Sequence, residues 1–488
     1  MSLIRNGSML ANVLLVVTGA AAGAGLTLLV SPAMRQNDEM LFARAQPPPS
    51  EPSVRSKALK APADGSASHD GNTEKTTWPI KGSADANDRA AALRDAGAAD
   101  AEKDVTAALN RASQFSSAQD KLDYLRGVYS TWAKGDPRSA VSYAMSNFAP
   151  GTLRSETVGI AVNRWGATDP RGAWQWSDQN LSGPLKEQAM TDLMIGWTRK
   201  TPEVAAQWLA STNYNSQPLI NATAGTWAET NPQAAYTWAS SLTNEAASRT
   251  AKTSTVSEWA LQDAPAAAKR IEPELNTPAG VDLATALTNI WASTDPSAAA
   301  EWVYKLPAGD GRNEAAATLA TVWAASDING AIGWTKTITD AEMRRQVITH
   351  IGTTWGAIEP DKALDWLATL PANETTSAII GAYNSWAAVD AVGLNDYVQS
   401  QPVSASMDQA RISLADVMAA SDIQASIDLA FGLSSDLGRD EAVARYFRQW
   451  RKTDDASAQA WLSQSWASLS PTTQQRLAKE QARAVVAR

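Results

Sequence analysis

A tryptophan returns every 30 to 33 residues between positions 132 and 450, and this period limits the possible folds more than any other feature. Ten of the eleven equivalent positions are tryptophan and one is methionine. A fixed period of this length is typical of repeat proteins, in which each unit is one supersecondary structure. We call these positions the anchors: Trp132, Trp165, Trp197, Trp227, Trp259, Trp291, Trp323, Trp355, Trp386, Met418 and Trp450.

A residue that suits the start of a helix stands four positions after each anchor. Eight of these residues are aspartate, and the other three are Thr201, Asn231 and Glu359. Aspartate, asparagine and threonine are favoured N-caps because their side-chain oxygens accept backbone N–H groups. Proline follows in six repeats, and it suits the first helical position. The sequence therefore predicts that a helix restarts in each repeat at Asp136, Asp169, Asp263, Asp295, Asp327, Asp390, Asp422 and Asp454.

The helix that restarts after the cap, which is the second helix of each repeat, carries a small and a large apolar residue at fixed positions. Alanine stands eight positions after the anchor in nine of the eleven repeats, and a second tryptophan follows three positions later in seven. A spacing of three places both residues on one helix face. We expect the alanine to allow close helix packing and the indole rings to be buried where successive hairpins touch. The second tryptophans are Trp176, Trp208, Trp238, Trp302, Trp334, Trp366 and Trp461.

The segment before each anchor also has helical periodicity, as in Leu283, Leu287 and Trp291. Each unit is therefore helix, tight turn, helix and loop. One hairpin cannot cover its own apolar faces, so neighbouring hairpins must stack. The sequence predicts an all-α fold with about eleven hairpins of about 32 residues over 118–468, between capping helices at 99–117 and 469–488.

Three repeats depart from this pattern. The repeats anchored at Trp259, Trp386 and Met418 lack both the second tryptophan and the proline directly after the cap. We expect looser or curved stacking at these repeats, because the indole that fills the flank of the helix is missing there.

The repeat resembles the tetratricopeptide class of α-solenoids in its period, its two-helix unit and its pairing of aromatic with small residues. The order of the recurring residues differs from that family, because here the string is Trp, three residues, Asp-Pro, two residues, Ala, two residues and Trp. The resemblance covers about residues 118–468 and concerns architecture only. It implies a right-handed α-solenoid with a concave protein-binding surface and no chemistry of its own.

The N-terminal region predicts a membrane anchor and a tether. After a short tail at 1–8, residues 9–30 contain no charge, and 22 residues are enough to cross a bilayer as one helix. A signal peptide cleaved at Ala33 or Ala45 is the alternative, but its apolar region is normally shorter. Residues 31–98 are rich in Pro, Ser, Ala and Gly and predict a disordered linker. We expect a single-pass protein of the inner membrane with its C-terminal domain in the periplasm.

The composition excludes several kinds of chemistry. The chain has no cysteine, which removes disulfides and thiolate ligands, and its two histidines, His69 and His350, predict no metal site. A net charge of -9 without a basic cluster argues against a nucleic-acid partner. Carboxylate pairs such as Asp365 with Glu359 are better explained by helix capping than by acid–base catalysis. We therefore predict no enzyme activity and no cofactor.

Two functional hypotheses remain. The first is a membrane-anchored scaffold or adaptor that binds a protein or peptide partner through the solenoid surface. The second is binding of cell-wall glycan, or a non-catalytic superhelical role in a wall-processing system, because tryptophan is abundant and indole rings stack on sugars. Trp174 and Trp466 fall outside the repeat positions and are candidates for exposed contacts. The partner and the oligomeric state are left open by the sequence.

Overall fold

The computed structural model describes residues 86–212 and 216–486, and these residues form α-helices joined by short turns and two short 3-10 helices, with no strand among them. The chain divides into two compact units, Met1–Trp197 and Thr198–Arg488. The all-α prediction is confirmed for this part of the chain, and the contacts between neighbouring helices fit a helical-repeat architecture.

The first unit contains the N-terminal hairpins. Its helices are α1 Ala86–Lys103, α2 Val105–Ala112, α3 Ala118–Gly135, α4 Pro137–Asn147, α5 Thr152–Thr168, α6 Pro170–Asn180 and α7 Gly183–Lys200, the last of which continues past the unit boundary.

The second unit continues the same helical pattern. Its helices are α8 Pro202–Ser211, α9 Gln217–Ala228, α10 Pro232–Ser241, α11 Glu245–Ile271, α12 Pro278–Thr294, α13 Pro296–Lys305, α14 Asp310–Ser326, α15 Ile328–Thr335, α16 Ala341–Gly356, α17 Pro360–Ala368, α18 Ala372–Val389, α19 Ala391–Ser400, α20 Ala405–Met418, α21 Ile423–Phe431, α22 Asp436–Thr453, α23 Asp455–Ser465 and α24 Pro471–Val486. The short 3-10 helices are Glu272–Glu274 and Trp466–Ser468.

A turn of one residue joins the two helices in seven of the described hairpins. In the second hairpin, the backbone N–H of Asp169 donates to the carbonyl oxygen of Trp165 at 2.8 Å, which closes α5. The Asp169 carboxylate then accepts the backbone N–H of Gly172 at 3.0 Å, which caps α6. One residue therefore ends the first helix and starts the second. Its backbone is non-helical, with φ -140° and ψ 75°, and the same geometry recurs at the equivalent positions.

α11 contains this turn as a kink between two helical segments. Asp263 has φ -155° and ψ 83° inside it, so the helix bends where the other repeats have a break. The Asp263 carboxylate accepts the backbone N–H of Ala266 at 3.0 Å, as an N-cap does. The part of α11 before Asp263 is thus the first helix of a hairpin, and the remainder is the second.

The core lies between successive hairpins. In the second unit each first helix packs against the next, in the order α11, α12, α14, α16, α18 and α20. The second helices α10, α13, α15, α17, α19 and α21 each pack against their own first helix and the following one. The position eight residues after the anchor has no exposed surface at Ala235, Ala267, Ala299, Ala331 and Ala363. Alanine at this position lets the following first helix approach closely.

The N-terminal part of the array begins earlier than the sequence indicated. α1 begins at Ala86, inside the segment 31–98 predicted as linker, and Leu93 is only 3% exposed. Instead of one capping helix over 99–117, the chain forms the end of α1 and then α2, whose N-cap is Asp104. Leu93 and Gly97 are buried one helical turn apart. The surrounding sequence is rich in alanine and charged residues, so this short buried face was not recognised from the sequence pattern.

The predicted anchor is not part of the described structure. None of the helices in residues 86–212 and 216–486 is long and apolar enough to cross a membrane. The tail at 1–8, the predicted transmembrane helix at 9–30 and most of the predicted linker lie outside the described residues.

Candidate binding surface

The two tryptophans of one repeat contact each other. Their ring centroids lie 5.9 Å apart for Trp165 with Trp176 and 6.0 Å apart for Trp323 with Trp334, across the turn of a single hairpin. The sequence placed these rings between successive hairpins, whereas the structure pairs them first within one hairpin. The other pairs at this spacing are Trp227 with Trp238, Trp291 with Trp302, Trp355 with Trp366 and Trp450 with Trp461.

Most of the anchor rings are buried. Trp323, the most exposed of the eight buried anchors, is 9% exposed, while Trp355 and Trp450 are partly buried. Among the second tryptophans, Trp238, Trp334 and Trp461 are buried and the others are partly buried. The rings therefore serve mainly to hold each hairpin together, and they offer little free surface for stacking on a ligand. The other buried anchors are Trp132, Trp165, Trp197, Trp227, Trp259, Trp291 and Trp386.

The predicted capping residues lie at helix starts. In nine repeats, a side-chain oxygen of the capping residue accepts a hydrogen bond from the backbone N–H three residues later. These residues are Asp136, Asp169, Asn231, Asp263, Asp295, Asp327, Asp390, Asp422 and Asp454. Thr201 makes no such side-chain bond. Hydrogen bonds from Ser457 hold the pKa of the Asp454 carboxyl below its usual value. These carboxylates are engaged in capping and do not converge on a pocket.

Glu359 shows why the cap position prefers a shorter side chain. It makes no capping bond to the backbone of α17. Its carboxylate instead accepts the side-chain ammonium of Lys362 and, at 3.1 Å, the indole N–H of Trp355. These two hydrogen bonds, with Lys362 the stronger cause, hold the pKa of Glu359 below its usual value.

Two of the variant repeats fill the place of the second tryptophan with another side chain. Tyr397 stands there in the repeat anchored at Trp386, and the two ring centroids lie 5.1 Å apart. Arg270 stands there in the repeat anchored at Trp259, and its guanidinium carbon lies 4.2 Å from the ring centroid of Tyr236 in the preceding repeat. The prediction of looser stacking did not consider that Tyr397 and Arg270 take the place of the second tryptophan in these two repeats.

Tyr236 also anchors a polar cluster beneath the short 3-10 helix. Its hydroxyl donates to Glu274 at 2.8 Å, and the Lys252 ammonium lies 2.7 Å from the other oxygen of Glu274. Burial alone would raise the pKa of Glu274, but the hydrogen bonds from Lys252 and Tyr236 hold it below its usual value. Burial and the bond to Glu274 raise the pKa of Tyr236. The cluster ties α10, α11 and the following turn together.

A row of uncharged residues, five of them with polar side chains, occupies one face of the first helices in the second unit. The position two residues before the anchor carries no charge in six consecutive repeats, and every member is partly or fully exposed. Their helices α9, α11, α12, α14, α16 and α18 are neighbours in the array. We call this row the hydroxyl–amide face: Gly225, Ser257, Asn289, Thr321, Thr353 and Asn384. In the next two repeats the same position is Asp416 and Arg448.

Both donors and acceptors occur along the hydroxyl–amide face. The hydroxyl groups of Thr321 and Thr353 donate to carbonyls of their own helices at 2.9 and 2.8 Å, so their oxygens can accept a further hydrogen bond. The Asn384 carbonyl oxygen accepts from the Ser413 hydroxyl at 2.6 Å, which leaves the amide group to donate. The face can therefore both give and receive hydrogen bonds without presenting a formal charge.

Other candidates from the sequence are scattered. Trp466 is 38% exposed in the 3-10 helix before α24, and Trp174 is partly buried in α6. His350 is partly buried in α16, and burial lowers its pKa. His69 lies outside the described residues. In the described part of the chain no group of three acidic, histidine or cysteine side chains is placed to hold a metal ion.

One open cleft of about 580 Å³ lies at the loop edge of the second unit. It is formed by the α11–α12 and α13–α14 connections, and its walls include Leu275, Leu306, Asp282, Asp310 and Arg312. Arg312 forms an ion pair with Asp340 at 2.7 Å. Its lining thus combines charged side chains with the apolar Leu275 and Leu306.

Comparison with known protein families, with curated protein sequences and with solved structures found no match.

Proposed function

We propose that this protein is a non-catalytic scaffold that binds an extended segment of a protein partner through the hydroxyl–amide face. The observation that supports this proposal is the run of six uncharged positions, five of them polar, at the same offset from the anchor. Five of the six positions carry a hydroxyl or amide group, the chemistry with which a peptide backbone can form hydrogen bonds.

An extended peptide suits this face because its backbone is also uncharged. Each peptide unit carries one N–H donor and one C=O acceptor, which match the amide and hydroxyl groups of Asn289, Thr321, Thr353 and Asn384. Packed helices lie about 8 to 10 Å apart, so an extended chain crossing them meets a new helix about every third residue. Binding through the backbone would give affinity, and the neighbouring side chains would give specificity.

The finer architecture and the cellular place belong to the same proposal. The helix–turn–helix unit supports a tetratricopeptide-like, right-handed α-solenoid over residues 118–468. The uncharged segment 9–30 supports a single-pass anchor in the inner membrane with the repeats on the periplasmic side. Fusion of a reporter enzyme that is active only outside the cytoplasm to Arg488 tests this orientation. We expect an active fusion, and an inactive but stable fusion would contradict the orientation.

Glycan binding is the second candidate, since hydroxyl and amide groups also suit sugars. The exposed aromatic residues of the described chain argue against it, because Tyr304, Phe431 and Trp466 all lie off the hydroxyl–amide face. Most tryptophan rings are engaged in pairs within the hairpins. A sugar would therefore lack the ring face on which it commonly stacks.

The test introduces charge into the face. In the full chain in its native membranes, we would change Asn289→Asp and Asn384→Asp together and compare chemical crosslinking of the partner with that of the unchanged protein. Asn373→Asp is the matched control, because it makes the same chemical change at an exposed position off the face. We expect at least a tenfold loss of crosslinked protein for the double variant and none for the control.

Two results would contradict the proposal. One is equal crosslinking for the double variant and the unchanged protein. The other is co-sedimentation with purified cell-wall glycan that the double variant abolishes while no protein partner is captured, which would favour the second candidate.

A further inference from the structure

His350 lies on the same side of α16 as Thr353, a member of the hydroxyl–amide face. It stands one helical turn before Thr353, and Gln346 precedes it by one further turn. All three are partly exposed, whereas Val347 and Ile351, on the opposite side of the helix, are completely buried. His350 is therefore a direct neighbour of the hydroxyl–amide face.

The equivalents of His350 form a second uncharged row. The position five residues before the anchor is partly exposed in each of six consecutive repeats, and five of the six residues cannot ionise. With the hydroxyl–amide face, this row makes a strip one helical turn wide across six first helices. His350 is the only side chain of the strip that can gain a charge. The members of the second row are Ala222, Ser254, Ala286, Thr318, His350 and Gly381.

The imidazole nitrogens of His350 are open to solvent. Neither nitrogen makes a hydrogen bond within the part of the chain that the structure describes, and neither is among the polar atoms buried there without a partner. The ring is partly buried, so its carbon atoms account for most of the covered surface. A neutral imidazole offers one N–H donor and one acceptor nitrogen. His350 can therefore form hydrogen bonds in both senses with a ligand that lies on the strip.

No neighbouring charge holds the imidazole in one state. The helices packed against α16 are α14, α15, α17 and α18, and α15 has no titratable side chain. In α16 itself, Arg344 and Arg345 pair with Glu374 and Glu342. Burial is the only cause that lowers the pKa of His350, so none of the charged groups on these helices shifts it. The titratable groups of the packed helices are Asp310, Arg312 and Glu314 in α14, Asp361, Lys362 and Asp365 in α17, and Glu374 and Tyr383 in α18.

A segment bound along the hydroxyl–amide face would cover His350 as well. Covering the ring removes more water from it and disfavours the charged imidazolium, which has also lost its acceptor nitrogen. The free protein would then bind a proton more readily than the complex. Affinity is therefore highest above the pKa of free His350, which lies below the usual value of about 6.5, and falls as the pH falls through it.

An acidic side chain over His350 would reverse this dependence, but the adjacent helix disfavours one. Glu314 stands four residues before Thr318 in α14 and is exposed. It forms no ion pair within the described part of the chain. This free carboxylate would repel an acidic side chain placed over the neighbouring His350. The strip therefore suits a segment that has no acidic side chain at this point.

We propose that neutral His350 hydrogen-bonds the partner segment and that gaining a proton releases it. The hydroxyl–amide face then binds a segment without acidic side chains at neutral pH and gives it up in mild acid. This inference rests on the proposed function and specifies the partner and the condition of binding.

The test measures capture of the partner as a function of pH, with the full chain in its native membranes. A photoreactive benzophenone amino acid replaces Ser377, which is exposed in α18 one turn before Gly381. Its crosslinking on illumination involves no group that titrates in this range. We expect the yield of crosslinked protein to fall by about fivefold or more between pH 7.5 and pH 5.0.

Variants assign the fall to His350. His350→Gln keeps a donor and an acceptor but gains no proton, so its yield should stay within a factor of about two over the same range. His350→Lys carries a charge throughout and should have a low yield already at pH 7.5. His69→Gln is the matched control, because it removes the only other histidine of the chain and should show the same fall as the unchanged protein.

A second measurement needs no variant of His350. Diethylpyrocarbonate modifies accessible neutral imidazoles, and mass spectrometry detects the product at His350. At pH 7.5 in membranes, we expect less modification in the unchanged protein than in the double variant Asn289→Asp and Asn384→Asp, which should lack the partner. Equal modification would show that the bound segment does not cover His350 and would overturn the proposal.

Three results of the crosslinking test would overturn the inference and leave the proposed function intact. The first is an equal yield at pH 7.5 and pH 5.0. The second is a yield that rises towards pH 5.0, which would indicate an acidic segment paired with protonated His350. The third is the same fall in folded His350→Gln, which would assign the titration to another group. Capture of no protein at pH 7.5 would contradict the proposed function itself, and this inference with it.

Discussion

The rings of Trp323 and Trp334 stack at 6.0 Å with their planes inclined by 26°, although a change of helix direction lies between them. Asp327 makes this possible, because its backbone N–H closes α14 on the Trp323 carbonyl at 2.7 Å and its carboxylate caps α15. A rigid turn of one residue thus places two rings, eleven positions apart, on facing sides of a hairpin. The hairpin is therefore held by a polar cap at its turn and an aromatic pair just inside it.

The ring pair should show energetic coupling. Trp323→Ala and Trp334→Ala should each destabilise the protein by about 3 to 5 kcal/mol, because each removes a buried ring. The double variant should cost about 0.5 to 1.5 kcal/mol less than the sum, since the aromatic contact is lost only once. Urea unfolding followed by circular dichroism measures this, and Trp466→Ala, at an exposed ring, is the control. Strict additivity would mean that the rings act independently.

The repeat could be read from the sequence because its strongest signals are local. A cap residue followed by proline fixes where a helix restarts, and Asp295 with Pro296 shows the signal in full. The burial of Ala299 follows from its helical offset. The ring pairing could not be read, because an offset of eleven that includes a turn has no fixed geometry until the backbone angles of Asp295 are known.

The candidate surfaces could be predicted from the sequence only in part. The absence of charge at positions such as Asn289 and Thr321 is visible in the sequence, but only helix packing shows that these residues lie on an accessible face. His350 is an ordinary helix residue in the sequence. That its imidazole nitrogens reach solvent beside Thr353 depends on how α14 and α18 pack against α16, which no periodicity encodes.

Substitutions at the cap positions 201 and 295 should change the free energy of unfolding in opposite directions. Asp295→Ala removes the bond to the backbone N–H of Ala298 and should cost about 1 kcal/mol. Thr201→Asp should gain up to about 1 kcal/mol, because Thr201 makes no side-chain cap bond and aspartate at this position would add one. The midpoint of urea unfolding measures both effects. If Thr201→Asp were neutral or destabilising, the backbone at α8 would not have the geometry that an aspartate cap needs.

The buried alanine position should not tolerate a larger side chain. Ala299→Leu should destabilise the protein by about 1 to 3 kcal/mol, because Ala299 is completely buried and α14 packs directly against α13. Ser297→Leu, two residues earlier in the same helix and exposed, should change stability by less than about 0.5 kcal/mol. A similar loss for both variants would show that helix propensity, and not packing, is responsible.

Glu274 should give the protein an acid-sensitive step in stability. Its folded-state pKa is lowered by Lys252 and Tyr236, so the folded protein binds the proton less readily than the unfolded chain. The stabilisation is therefore present above the unfolded pKa of about 4.3 and is lost as the pH falls through the folded value. Glu274→Gln should flatten the fall in Tm between pH 5 and about pH 3, measured by thermal unfolding. Glu272→Gln changes an exposed carboxyl two residues away and should leave the fall intact. If both variants behaved alike, general charge repulsion at low pH, and not the Tyr236 cluster, would account for the acid sensitivity.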